Sequence, residues 1–124
     1  MPDVRANDLQ SQLEAIIGIY SNSCCGADGT ETYHATAASG TAVSFTNQVH
    51  AQVLDHGGLD NRGVKIADFT VIANANMPAA MTFMGFIDHG VDGPKMATNS
   101  WRKEVARGLM HALQQTMGYG EFTP

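Results

Sequence analysis

The most regular pattern in the chain is an alternation of apolar and polar positions that begins at Val43. Every second residue up to Val53 is apolar, except for Asn47, and polar side chains lie between them. Period-two alternation is typical of a strand with one face on a core and the other toward water. The pattern therefore predicts a strand over 43–53.

Two further apolar runs follow, each after a turn-forming segment. The run 64–77 changes phase at Ala67-Asp68, as a β-bulge would produce, and Pro78 ends it by removing a hydrogen-bond donor. The run Met81 to Ile87 is apolar on both phases, which predicts a strand covered on both faces. Short connections between consecutive strands favour antiparallel pairing, and a shorter run at 32–37 would add a fourth strand.

Helical spacing appears at both ends of the chain. Near the start, Asn7 or Asp8 can cap a helix whose apolar stripe is Leu9, Leu13, Ile16, Ile17 and Tyr20. Near the end, Asn99 or Ser100 can cap a second helix with the stripe Trp101, Val105, Leu109, Leu113 and Met117. The prediction is one α+β domain over 1–124: an antiparallel meander sheet of three to four strands with an N-terminal and a C-terminal amphipathic helix.

The lengths of the predicted strands indicate assembly. A compact chain of this size has a diameter of about 35 Å, whereas the runs 43–53 and 64–77 span roughly 36 and 46 Å when extended. The hairpin over 43–77 must therefore bend sharply or project as an arm, and a projecting arm usually needs a partner. The interface residues predicted for a homo-oligomer are Val43, Phe45, Val49, Phe69, Val71 and Ile72.

The charge narrows the choice of partners. The 124 residues carry a net charge of −5 with only seven basic residues, which argues against nucleic acid as a partner. Arg102, Lys103 and Arg107 are grouped on the C-terminal helix and could meet an acidic protein surface. No apolar run is long enough for a membrane span, and the N-terminus lacks the pattern of a signal peptide. The expectation is a soluble protein made in the cytoplasm.

Two adjacent cysteines, Cys24 and Cys25, lie in a predicted loop. Since the chain has no other cysteine, a disulfide scaffold is excluded. Free thiols are the preferred interpretation, and a reactive pair or a vicinal disulfide remains the alternative.

The tripeptide Asp-His-Gly occurs twice, at Asp55-His56 and at Asp88-His89, each time at the end of a predicted strand. In a meander these two ends lie at the same edge of the sheet, about 9–10 Å apart, and Asp60 and Asp92 follow in the adjoining loops. Imidazole and carboxylate groups at this spacing could bind a divalent metal or act as acid and base. Asp and Gly are also what turns require, and two solvated turns are the preferred interpretation.

Two stretches carry a resemblance to a known family. The segments 40–55 (GTAVSFTNQVHAQVLD) and 63–78 (GVKIADFTVIANANMP) resemble the β-region of small tailed-phage head-to-tail joining or tail-completion proteins. The resemblance implies an N-terminal helix before a small sheet whose loops and arms bind neighbours in a ring. It also implies an assembly role without catalytic residues. The helix that begins near Trp101 is similar to that of tail-completion proteins only.

These observations favour a non-enzymatic subunit of a homo-oligomeric assembly, such as a virion connector or tail component. Its expected partners are copies of itself and neighbouring assembly proteins, and no cofactor is expected. The first alternative is a small hydrolase-like enzyme that holds a divalent metal at Asp55, His56, Asp88 and His89. The second alternative is a partner-binding module that uses the basic residues of the C-terminal helix.

Overall fold

The computed structural model describes residues 15–117. Four strands and four helices follow one another in this part of the chain. The strands are β1 (Ile16–Asn22), β2 (Thr30–His34), β3 (Asn61–Ile66) and β4 (Ala79–Phe86). The helices are α1 (Gly40–Gly57), α2 (Thr70–Ala73), α3 (Asp92–Met96) and α4 (Asn99–Met117).

The four strands form one mixed sheet in the order β1-β4-β2-β3. β1 pairs parallel with β4, and β2 pairs parallel with β3, while β2 and β4 are antiparallel. A parallel pair needs a crossover connection, which α1 supplies between β2 and β3. The predicted antiparallel meander is therefore wrong, and the architecture is α/β.

The segment 43–53, predicted to be a strand, lies inside helix α1. Ser39 caps this helix by accepting a hydrogen bond on its Oγ from the Ala42 backbone N–H at 3.1 Å. The helix ends at Gly58, whose positive φ of 68° suits a residue without a side chain. Its buried residues recur at intervals of three and four: Ala42, Phe45, Thr46, Val49, His50, Val53 and Gly57.

The predicted long strand over 64–77 is two short elements. β3 ends at Ile66, and the helix α2 begins at Thr70. Between them, the Asp68 carboxylate accepts hydrogen bonds from the backbone N–H and the hydroxyl of Thr36, at 2.9 and 3.0 Å. The change of phase therefore marks the end of a strand and not a bulge, and no projecting hairpin forms.

The first predicted helix falls partly outside the described residues. Its cap at Asn7 or Asp8 and its positions Leu9 and Leu13 lie there, whereas its last apolar positions belong to strand β1. The strand alternates in its packing. Ile17 packs against the core cluster that contains the long helices, and Ile16 packs against a second cluster on the other face of the sheet.

Two other predicted elements, the strand that begins near Met81 and the C-terminal helix, are confirmed. Met81 lies on the central strand β4, which has β1 and β2 on its two sides and a core cluster on each face. The C-terminal helix runs over Asn99–Met117, and Trp101, Val105 and Leu109 on its predicted stripe are buried. The hydroxyl of Thr98 accepts the Trp101 backbone N–H at 3.3 Å, so the helix is capped one residue earlier than predicted.

The residues predicted to form an oligomer interface lie mostly in the core. Phe45 and Val49 have no exposed surface, and Ile72 is 3% exposed. Phe69 packs in the second cluster, and Val43 is half-buried on α1. Only Val71 of the set is exposed. A side chain that is buried within its own fold cannot contact another subunit, so Phe45, Val49 and Ile72 cannot form the predicted interface.

Candidate functional site

The described residues contain one group of acidic and histidine side chains arranged as metal ligands: Asp28, His89 and Asp92. Asp28 lies in the loop between β1 and β2, and the other two follow the end of β4. Each residue offers one ligand atom, and these atoms all lie within 4.8 Å of one another. The sheet order explains this proximity, because it places the two loops at the same edge.

Asp92 is held firmly in this group. It is 2% exposed, and its Oδ2 accepts the backbone N–H of Gly29 at 2.8 Å and that of Phe86 at 3.0 Å. The two bonds fasten the β1–β2 loop to the end of β4. Because they use Oδ2, the Oδ1 atom is the one that can face a ligand.

The imidazole of His89 is oriented by its own turn. Its Nδ1 accepts the backbone N–H groups of Val91 at 3.1 Å and of Asp92 at 3.3 Å. A ring nitrogen that accepts hydrogen bonds carries no proton, so Nδ1 is occupied and Nε2 is the atom left for a ligand. The ring lies beside the carboxylate of Asp92, with Nδ1 3.7 Å from Asp92 Oδ1.

Carboxylates crowd this edge of the sheet. The Asp28 carboxylate accepts a hydrogen bond from protonated Asp60, and this bond and the Asp28 charge raise the pKa of Asp60. The charge of Asp92 adds to the effect. Like charges at close range disfavour ionisation, and a bound cation would relieve the repulsion. The electrostatics of the site therefore favour a positive ligand.

The structure separates the two Asp-His-Gly copies. His56 lies between α1 and α4, where its Nδ1 is 3.3 Å from Glu104 Oε1 and its ring stacks on His111 with centroids 5.8 Å apart. Asp55 beside it is exposed. In the second copy, Asp88 Oδ1 accepts the backbone N–H of Cys24 at 3.3 Å. Of the four predicted metal ligands, the cluster contains only His89.

The sequence indicated part of this cluster. Asp92 was visible as an acidic residue in the loop after the third apolar run, and His89 as a member of the repeated tripeptide. Asp28 was missed, because nothing local links a residue before Gly29 to the end of β4. Only the order of the strands in the sheet brings them together.

A second buried charge lies on the sheet at Glu31 of β2. Its Oε1 accepts from Asn22 Nδ2 at 2.8 Å, and its Oε2 accepts from Arg62 Nε at 3.3 Å and from Lys65 Nζ. Burial alone would raise the pKa of Glu31, but the hydrogen bonds from Lys65 and Asn22 and the charge of Lys65 outweigh it and lower the pKa. This carboxylate is therefore ionised at neutral pH and links β1, β2 and β3.

His50 has a structural role and is not a candidate for chemistry. It is 6% exposed on α1, where its Nδ1 lies 2.9 Å from Thr32 Oγ1 and its Nε2 lies 2.8 Å from Asn61 Oδ1. Both ring nitrogens are thus occupied within the fold.

Two other predicted features can be placed. The structure joins Cys24 and Cys25 by a disulfide, the alternative that the sequence left open. The basic residues of the proposed partner-binding patch are exposed on α4: Arg102 donates to Asn99 and Arg107 donates to Glu104. Nothing in the structure tests the patch, which stays a prediction.

Comparison with known proteins identifies the class. The described segment has an α/β fold that is similar to the solved catalytic domain of CwlV, an N-acetylmuramoyl-L-alanine amidase from Bacillus (Paenibacillus) polymyxa, with a TM-score of 0.82 and 22% identity over 90% of this chain and 62% of that one. A model of the N-acetylmuramoyl-L-alanine amidase family matches residues 6–115. The chain belongs to this family.

Curated relatives agree with this assignment. The chain is 32% identical over 90 residues to the sporulation-specific N-acetylmuramoyl-L-alanine amidase of Bacillus subtilis, covering 73% of this chain and 35% of the relative. It is 29% identical over 118 residues to the endolysin of Bacillus phage SPP1, covering 91% of this chain and 43% of the endolysin. The chain therefore spans well under two thirds of these relatives.

The family assignment overturns the functional hypothesis drawn from the sequence. The resemblance to phage joining and tail-completion proteins is wrong, and so is the expectation of a non-enzymatic virion subunit that assembles with copies of itself in a ring, because the matching relatives are amidases. The metal-dependent hydrolase, which was the first alternative, fits these findings better. In the part of the chain that the structure describes, no helix is long and apolar enough to cross a membrane.

Proposed function

We propose that the protein hydrolyses the amide bond between N-acetylmuramic acid and L-alanine in peptidoglycan. The observation that carries the proposal is the match of the amidase family to residues 6–115, nearly the whole chain. The relatives named as amidases support it from independent sequences. Because the chain corresponds to 62% of one solved catalytic domain, the assay must be made on the protein as it occurs.

The proposal includes a divalent metal at the cluster of Asp28, His89 and Asp92. Family members typically depend on zinc, and imidazole nitrogens and carboxylate oxygens are both ligands of zinc in proteins. The grouping of the three side chains supports this assignment, since their ligand atoms lie within 4.8 Å of one another and Asp92 Oδ1 is not used by the backbone hydrogen bonds at the site. A metal bound there would polarise the substrate carbonyl and activate water.

The protein itself supplies rigidity and charge at the proposed site. Backbone N–H groups fix the carboxylate of Asp92 and the ring of His89 before any ligand arrives. Side chains held in this way lose little conformational freedom on binding, which is the usual benefit of supporting interactions around a metal. The carboxylates of Asp28 and Asp92, which lie within 4.8 Å of each other, support an excess of negative charge at the site.

The activity is tested by incubating the protein with purified peptidoglycan and measuring the new amino groups of L-alanine by labelling and mass spectrometry. The assay is run with zinc, with other divalent ions and after chelation. The expected result is metal-dependent release of L-alanine amino groups. Absence of release in every metal-loaded state, under conditions in which the SPP1 endolysin is active, would reject the proposal.

The metal site is tested separately by elemental analysis of purified variants. Asp28→Asn combined with His89→Gln should remove the bound metal. The matched control is Asp55→Asn combined with His56→Gln, which changes the other Asp-His pair and should retain it. If the control variant lost the metal and the first variant kept it, the metal site would be assigned to the end of α1. Circular dichroism on both variants checks that each is folded.

A further inference from the structure

The loop between β1 and β2 carries a disulfide close in sequence to a candidate metal ligand. Cys24 and Cys25 are joined to each other, and both residues are exposed. The same loop continues to Asp28, a member of the candidate metal cluster. A disulfide stabilises a fold mainly by closing a long loop of chain, and a bond between adjacent residues closes none. The pair therefore has a role other than holding distant segments together.

The disulfide lies in a tight turn with an unusual backbone. The backbone N–H of Ala27 donates to the carbonyl oxygen of Cys24 at 3.0 Å, and the two residues between them, Cys25 and Gly26, have φ angles of 64° and 73°. Positive φ at both central positions is the pattern of a type I′ turn, which favours Gly, Asn and Asp. Among residues 15–117, Cys25 is the one residue other than glycine with positive φ. Its conformation therefore needs a constraint.

The disulfide supplies that constraint. The two side chains and the peptide unit between them form a small ring, so the backbone of Cys25 cannot rotate freely while the sulfur atoms are joined. When the S–S bond opens, Cys25 regains the freedom of an ordinary residue, for which negative φ is strongly preferred. Opening the ring should therefore weaken the turn that Cys24 and Ala27 close.

The turn in turn supports Asp28. The backbone N–H of Cys24 donates to Asp88 Oδ1 at 3.3 Å, which fixes one end of the loop. The backbone N–H of Gly29 donates to Asp92 Oδ2 at 2.8 Å, which fixes the other end. Asp28 lies between these two attachments and follows directly on the turn. Loss of the turn therefore removes the support on one side of Asp28 and leaves only the attachment at Gly29.

We propose that Cys24 and Cys25 are a thiol–disulfide exchange site whose redox state sets the position of Asp28. Through Asp28, the redox state controls how tightly its cluster with His89 and Asp92 binds a divalent cation. This inference rests on the metal site of the proposed function and assigns a regulation to that site. The oxidised protein is the form that binds the cation tightly.

The reductant that fits this pair is a dithiol. Its first thiolate attacks one sulfur of the pair, the S–S bond breaks, and the other sulfur leaves as a thiolate that takes up a proton. The second thiol of the reductant, as a thiolate, attacks the mixed disulfide and releases the remaining cysteine, which is also protonated. Two electrons and two protons thus pass to the protein, and the reductant becomes a disulfide. A monothiol is less effective, because the neighbouring cysteine stays beside the mixed disulfide and reverses the first step.

Two thiol-free variants test the control of the cation site. Cys24→Ser with Cys25→Gly has no ring but places glycine where φ is positive, so it should bind zinc as tightly as the oxidised protein. Cys24→Ser with Cys25→Ser lacks both the ring and the glycine, and should bind zinc about tenfold more weakly. Competition with a zinc-chelating dye measures the affinities, and no form contains a thiol that could bind the ion. Circular dichroism checks that both variants are folded.

The exchange chemistry is tested on metal-free protein. N-ethylmaleimide followed by mass spectrometry should label no cysteine before reduction and both cysteines after dithiothreitol, while 2-mercaptoethanol should require a much higher concentration. Reduction should also speed amide hydrogen exchange at Ala27, measured by NMR. The internal control is Ala38, whose backbone N–H donates to Ala35 in a separate turn at 3.2 Å and should exchange at an unchanged rate.

Three outcomes would overturn the inference: equal zinc affinity of the two variants, an unchanged exchange rate at Ala27 on reduction, and labelling of the cysteines before reduction. The proposed function can fail separately. Equal zinc affinity together with amidase activity rejects this inference alone. Absence of zinc binding by the oxidised protein and both variants rejects the metal site of the proposed function, and the exchange rate at Ala27 then decides the control of the loop by itself.

Discussion

Trp101 donates its indole Nε1–H to the backbone carbonyl oxygen of Gly57 at 2.8 Å. Gly57 is the last residue of α1, so its carbonyl has no partner within its own helix. Trp101 also lies close above it, because a Cβ at Gly57 would be 3.2 Å from Trp101 Cζ2. The start of α4 thus supplies a hydrogen-bond donor for the last carbonyl of α1.

Replacing this tryptophan should destabilise the protein. Trp101→Phe keeps an aromatic ring but leaves the buried carbonyl of Gly57 unpaired, which should lower the free energy of unfolding by about 1–3 kcal/mol. Urea denaturation followed by circular dichroism measures the change. The control Lys103→Ala, an exposed position on the same helix, should shift it by less than about 0.5 kcal/mol. Equal effects would mean that the bond contributes nothing specific.

Gly108 sets how closely α1 and α4 approach. A Cβ at this position would lie 2.8 Å from His56 Cδ2 and 2.9 Å from the backbone oxygen of Gln52. Alanine gains about 1 kcal/mol in helix propensity over glycine, but overpacking costs about 1–3 kcal/mol, so Gly108→Ala should be neutral or destabilising. Thermal unfolding tests this, with Ala106→Gly as a measure of propensity alone at an exposed site. A clear gain in stability would contradict the close packing.

The stability of the protein should depend on Glu31 in acid. Its folded-state pKa lies below the ordinary value of 4.5, so its ionised form stabilises the fold above that pH and the contribution is lost as pH falls through the folded pKa. Unfolding free energies of the unmodified protein and Glu31→Gln should therefore differ at neutral pH and converge in acid. If the difference in unfolding free energy stayed constant down to pH 3, the charge of Glu31 would not be what stabilises the fold.

Asp92 should have a structural role that is separable from any metal. Asp92→Ala leaves the buried N–H groups of Gly29 and Phe86 without an acceptor, and each costs about 1–3 kcal/mol. The loss should be visible in metal-free protein by urea denaturation. The same substitution at Asp28, whose carboxylate accepts no such pair of backbone bonds within residues 15–117, should be milder. A large loss only in the metal-loaded protein would assign the effect to the metal instead.

The pKa of Asp60 should report on its neighbour. This pKa is raised mainly by the hydrogen bond that protonated Asp60 donates to the Asp28 carboxylate and by the charge of Asp28. Asp28→Asn removes the charge, so the pKa of Asp60 should fall toward its ordinary value of 3.8. Carbon-detected NMR titration of the aspartate carboxyls measures it directly. An unchanged pKa would mean that the two carboxylates are farther apart than in the structure.

The helix α1 shows why the apolar pattern misled. Val43, Val49 and Val53 all lie at odd-numbered positions, and apolar residues at every second position are typical of a strand. The buried stripe, however, is completed by two polar residues, Thr46 and His50, whose hydrogen bonds inside the fold make their burial tolerable. A prediction that counts only apolar side chains leaves out buried polar residues of this kind. The capping serine at position 39 was the local signal that favoured a helix.

Elements whose pattern is almost fully apolar were predictable. The stripe that begins at Trp101 repeats every four residues without a polar member, and Thr82 is the one polar residue in the run from Met81 to Ile87. For the candidate site, sequence reasoning reached His89 but joined it to His56, because it assumed strands that follow one another in the sheet. The actual partner, Asp28, depends on β1 lying beside β4, which no local rule fixes.

The pairing of β1 with β4 also has a consequence in time. Ile16 of β1 pairs with Ala79 of β4, so β1 cannot join the sheet until β4, the last strand in the sequence, has been made. During synthesis β1 emerges early, and its partner leaves the ribosome only after all of α1 and β3. Contacts between distant segments slow folding and prolong the exposure of apolar edges. The sheet therefore cannot form until the central strand β4 has been synthesised.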